Sequence, residues 1–70
     1  MTYSYNKLWK LLIDKNMLKK DLMTSANLTS NTIAKMGKNE PVSMDALARI
    51  CIALKCNIGD ILDVVLDRND

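Results

Sequence analysis

The run LKKDLMTSANLTSNTIAKMGKN, Leu18 to Asn39, decides how this chain is read. Its apolar residues are spaced for two short helices broken at Asn27-Leu28. The first is expected over Lys19 to about Ser25, with Asp21 in its opening turn, where the helix dipole favours a carboxylate. Leu18 is a poor N-cap, which leaves a backbone donor free for solvent or an anion. Thr29 is a good N-cap for the second, Ser30 to about Met36, and Gly37 is the expected stop. Leu22, Ala26, Leu28, Ile33 and Met36 supply, in order, the apolar contacts that two crossing helices need. Ala26 is small enough for close approach. Asn27 stands where the chain must reverse, and a positive φ there is easiest for Gly and next easiest for Asn. This is the pattern of a helix-turn-helix. The second helix, however, opens on Ser30-Asn31-Thr32, three short uncharged polar groups, with Lys35 one turn later.

Working outward, Tyr5, Leu8, Trp9, Leu12 and Ile13 share one face of a helix expected over about Tyr5 to Lys15, with Asn16 as its stop. Pro41 keeps KNEPVS irregular. Ser43 caps a helix over about Met44 to Leu54 whose buried stripe is expected at Met44, Leu47, Ile50, Cys51 and Leu54. Asn57, with Asp60 three residues on, caps a fifth helix from Ile58 to about Val65. The expectation is an all-α, compact five-helix single domain over residues 1–70, with the helix-turn-helix at about 19–36.

Seventy residues make one small domain, which buries only about 60% of the surface its unfolded chain exposes. A hydrophobic fraction of 49% is ample for a core, and two glycines with one proline favour long helices over many-stranded sheets. No run approaches the roughly 18 apolar residues of a membrane span, and the N-terminus lacks a signal-peptide core. A cytoplasmic protein is expected. Cys51 and Cys56, five apart, are read as small apolar residues pointing in different directions in a reducing compartment. Without histidine there is no metal set. No nucleophile stands beside a base and no glycine loop cradles phosphate, so neither enzyme nor cofactor nor small-molecule ligand is expected.

The net charge of +2 is unevenly spread. Residues 1–40 carry seven lysines against three carboxylates; residues 41–70 carry three cations against five. A basic partner surface therefore belongs to the N-terminal half.

LKKDLMTSANLTSNTIAKMGKN resembles the helix-turn-helix of the Cro/C1-type, phage-repressor-like (XRE) proteins, and VSMDALARICIALKCNIGDIL resembles their last two helices. The likeness runs from about Leu8 to Leu62. The chain departs from the pattern at Met23, where a small alanine is usual, at Asn27, where the turn glycine stands, and at Lys19, which replaces a frequent Gln. The resemblance implies a five-helix fold whose third helix lies in the major groove of double-stranded DNA. Matched by position, Ser30, Asn31 and Lys35 stand at base-reading positions with Thr32 between them. Lys19 and Thr29 match backbone-contacting positions, and Lys38 and Asn39 match a phosphate-contacting loop.

The chemistry of these residue types agrees with that reading. A groove admits a helix whose leading side chains are short and polar. Asn suits a bidentate pair with adenine, Lys suits guanine, Ser or Thr serves either, and the Thr methyl can touch a thymine methyl. A solvated first turn explains Ser30-Asn31-Thr32 just as simply on its own, because these residues favour helix starts. The apolar frame around them tips the reading to DNA. In the last segment, Ile61 and Val65 belong to a helical face that leaves Val64 and Leu66 over. Ile61, Val64, Val65 and Leu66 are the expected homodimer seam; the other reading is a short terminal strand pairing with TYSY. A transcriptional repressor acting as a dimer is the function expected. The rival is a helix-turn-helix scaffold used for protein–protein contact, as in an inhibitor or antitoxin-like adaptor.

Overall fold

A computed structural model describes residues 2–66. Strand β1 (Thr2–Ser4) leads into helices α1 (Asn6–Asp14), α2 (Lys19–Ser25), α3 (Ser30–Gly37) and α4 (Met44–Leu54). A single 3-10 turn (Ile58–Asp60) and strand β2 (Asp63–Val65) follow. Among the described residues there are thus four α-helices and a two-stranded antiparallel sheet, β1 on β2, with Thr2 opposite Val65, Tyr3 opposite Val64 and Ser4 opposite Asp63. The expected fifth helix is corrected by this finding, and the fold is not strictly all-α. The start was read correctly: Asp60 accepts the Asn57 N–H at 3.0 Å, as in half of a capping box. The continuation failed because Val64 and Val65 are β-branched and the N-terminal segment offers them a strand partner. Lys7 secures the arrangement, its Nζ donating to the Gly59 carbonyl at 3.1 Å and pairing with Asp63 at 3.2 Å.

The core draws on every helix: Tyr5, Leu8, Leu12, Leu22, Ala26, Leu28, Met36, Ala46, Leu47, Ile50, Leu54 and Ile61 are buried. Each large aliphatic among them contributes roughly 1.5–3 kcal/mol by leaving water. Helix α2 packs on both α3 and α4, so the helix-turn-helix rests on the rest of the domain. Ile13, expected on the buried face of α1, is 72% exposed, and Leu11 is half-buried instead. Met44 is likewise 70% exposed, because it lies outside the arc of α4 that carries the buried Ala46, Leu47, Ile50 and Leu54.

Helix ends follow one rule. After α1 the Met17 N–H donates to the Leu12 carbonyl and Asn16 has φ +56°. After α2 the Leu28 N–H donates to Met23 and Asn27 has φ +55°; after α3 the Glu40 N–H donates to Lys35 and Asn39 has φ +58°. Each is a Schellman ending whose left-handed residue is asparagine, the side chain that best tolerates it after glycine. Gly37, expected to stop α3, is instead its last helical residue and has no positive φ; Asn39 makes the turn. Helix α4 ends the same way on Lys55, at φ +55°.

Candidate nucleic-acid interface

The side chains of α3 divide cleanly. Met36 is buried, Ile33 and Thr32 are half-buried, and Ser30, Asn31, Ala34 and Lys35 are exposed. At about 100° per residue, these four span roughly 140° of the helix circumference. Lys38 continues the strip at the C-cap, also exposed. Ser30, Asn31 and Lys35 therefore share one open face, with the small Ala34 at its centre. Nothing but the helical period marks Ala34 in the sequence.

Thr32 lies at the margin. Its N–H donates to Thr29 Oγ1 at 3.2 Å, and the two hydroxyls are 3.1 Å apart. Thr29 is therefore the working N-cap expected from sequence, an interaction that contributes about 1 kcal/mol. The Thr32 hydroxyl is thus already engaged once, while its methyl group makes no such bond.

At the start of α2, Leu18 makes no side-chain cap, and its own N–H finds a partner. It donates to Asp21 Oδ2 at 2.8 Å, which also fixes the carboxylate in the first turn. Lys19, the first residue of α2, holds its ammonium 4.5 Å from the Trp9 ring centroid. That cation–π contact orients a charge that remains exposed. Trp9 itself is half-buried.

Two long-range contacts hold the frame, and neither has a local sequence signal. Arg49 on α4 donates to the Asn27 carbonyl at 3.1 Å and is itself paired with Asp45, so α4 clamps the turn between α2 and α3. Tyr5, almost fully buried, donates its hydroxyl to the Glu40 carbonyl at 2.7 Å. The loop carrying Lys38 and Asn39 is thereby tied to the start of α1. Burial, with a smaller contribution from Tyr3, pushes the Tyr5 hydroxyl above the ordinary tyrosine value of 10.0.

The lysines divide among three places. Lys35 and Lys38 accompany the α3 face, Lys19 and Lys20 open α2, and Lys7, Lys10 and Lys15 line a hollow with Lys55, Asp14 and Asp60. Of the four residues expected at a dimer seam, Ile61 has no exposed surface and belongs to the core, which withdraws it. Val64, Val65 and Leu66 are 54%, 48% and 70% exposed. The described residues hold no group of three or more potential metal ligands, and no helix among them is long and apolar enough to cross a membrane.

Comparison with known proteins points the same way as the geometry. The crystal structure of the transcriptional regulator VanUg superposes with a TM-score of 0.90 at 47% identity, covering 94% of this chain and 88% of that one. No curated protein matches. The profile of the Cro/C1-type helix-turn-helix DNA-binding domain matches residues 7–67, nearly the whole chain. The chain belongs to the Cro/C1-type helix-turn-helix DNA-binding family.

Proposed function

We propose that this protein is a sequence-specific, double-stranded DNA-binding transcriptional repressor that inserts α3 into the major groove. The observation that carries this reading is the open face of α3, where Ser30, Asn31 and Lys35 are exposed together. Asn31 would pair with adenine and Lys35 with guanine, Ser30 would accept or donate as its base requires, and Ala34 and the Thr32 methyl would contact thymine methyls. Lys19, Lys38 and Asn39 would hold the phosphate backbone, with Thr29 adding its contact while it caps the helix. Lys19 is oriented for this by Trp9, and the Lys38–Asn39 loop by Tyr5. Membership of the DNA-binding family and the likeness to a transcriptional regulator support the reading.

The functional unit is a homodimer. In a sheet of two strands, β2 keeps one open edge, beside which Val64, Val65 and Leu66 are exposed. A two-fold pairing there would present two α3 helices to half-sites about 34–36 Å apart. Selection of bound duplexes from a random library at near-physiological salt tests the proposal. A two-fold motif with half-sites one helical turn apart is expected. Enrichment of no sequence, with binding that vanishes as salt rises, would move the function to the rival protein-contact role, for which the exposed Val64, Val65 and Leu66 are the available surface.

A further inference from the structure

Cys51 and Cys56 do not point apart, as their spacing suggested. The Schellman ending of α4 folds residue 56 back over residue 51, the Cys56 N–H donating to the Cys51 carbonyl at 3.0 Å. Adding the covalent lengths from carbonyl to Cα and from amide to Cα puts the two Cα atoms no more than about 7 Å apart, and less with the bond angles bent. That is inside the limit of about 7 Å beyond which a disulfide cannot close. The side chains follow the backbone into one shared groove. Both are free and half-exposed, and both line one groove with Ala48, Ile52, Asn57 and Ile58.

We propose that Cys51 and Cys56 are a modification site, a dithiol that closes reversibly to an intramolecular disulfide by exchange with a low-molecular-weight disulfide. Burial first, then the neighbouring Cys51, pushes the Cys56 thiol up. Cys56 therefore holds its proton, which leaves the first attack to Cys51. The Cys51 thiolate attacks one sulfur of the small disulfide, forming a mixed disulfide and expelling one small thiolate, which is protonated by solvent. Cys56 then loses its proton to solvent and attacks Cys51 Sγ, expelling the second small thiolate. Two protein thiols give up two electrons and the small disulfide is reduced to two thiols. The bridge would span the left-handed Lys55 and fix the turn that leads into Ile58–Asp60 and β2.

The test incubates the full chain with glutathione disulfide and follows intact mass and alkylatable thiols under denaturing conditions. The expected product is a chain lighter by two hydrogens, with both thiols lost and restored by dithiothreitol. Cys56→Ser should stop at one glutathione adduct on Cys51, and Cys51→Ser should react more slowly than Cys56→Ser. In the wild-type chain, trapping early adducts with acid and locating them by peptide mass should place glutathione on Cys51. A final product carrying two glutathiones, or only disulfides between chains, would overturn the proposal. Equal rates for the two variants, or early adducts mainly on Cys56, would overturn the assignment of roles.

Discussion

Replacing Tyr5 by phenylalanine removes a single oxygen and tests how the loop carrying Lys38 and Asn39 is held. The ring is 1% exposed and stays in place, so the change is confined to the 2.7 Å bond to the Glu40 carbonyl. A hydrogen bond of this kind contributes about 0.5–1.5 kcal/mol net, and toward the upper end when the carbonyl it leaves is partly buried. For a domain of this size about 1 kcal/mol lowers Tm by roughly 4–8 °C. The same hydroxyl gives a pH signature, because burial raises its pKa. Because the Tyr5 hydroxyl titrates higher in the folded chain than in the unfolded one, its contribution is fully present below the unfolded value of 10.0 and is lost as pH rises through the folded value. Urea unfolding of both proteins should therefore show a wild-type advantage at neutral pH that shrinks above about pH 10. Equal stability at neutral pH, or a wild-type advantage that grows with alkalinity, would refute the reasoning. DNA binding should weaken modestly and equally on all sequences, since the loop carrying Lys38 and Asn39 loses its tether.

Four further outcomes are expected. Asn31→Ala should cost about 1–3 kcal/mol on the best site and relax preference at one base pair, measured by competition among single-base variants of the site. Lys38→Ala should weaken every sequence alike and lower the slope of log K against log salt by about 1. Arg49→Ala, which frees the Asn27 carbonyl, should lose about 1 kcal/mol in denaturant unfolding, held to that size because its side chain is half-exposed. Leu66→Lys should lower the dimer fraction in sedimentation equilibrium without lowering the stability of the monomer, because Leu66 is 70% exposed.

Legibility in the sequence followed the range of the interactions. Helices α2 and α4 run as expected because their limits are set within four residues: Asp21, Ser43 and Asn27 each act on backbone groups next to them. The open face of α3 was legible for the same reason, since helical period alone sorts Ser30, Asn31 and Lys35 from Met36. Gly37 misled because a glycine can end a helix but need not; the asparagine two residues later was equally able to turn left-handed. In the C-terminal segment the favoured helix failed and the alternative strand paired with TYSY held, because the partner is about sixty residues away. Apolar spacing at Ile58, Ile61, Leu62 and Val65 fits a helix, yet the strand edge at Thr2–Ser4 gives Val64 and Val65 a pairing that periodicity cannot see. Ile61 moved from seam to core by the same change of path. Arg49 and Tyr5 were invisible as positioning residues, since each reaches a carbonyl far along the chain.

The most direct measurement is an amide-resonance titration of the isotope-labelled chain with its selected duplex. The largest perturbations are expected along Ser30, Asn31, Ala34 and Lys35, with smaller ones at Lys19 and Lys38. They should persist at salt concentrations that abolish the response to a scrambled duplex. Perturbations confined to lysines outside α3, and identical for the two duplexes, would contradict sequence reading by α3.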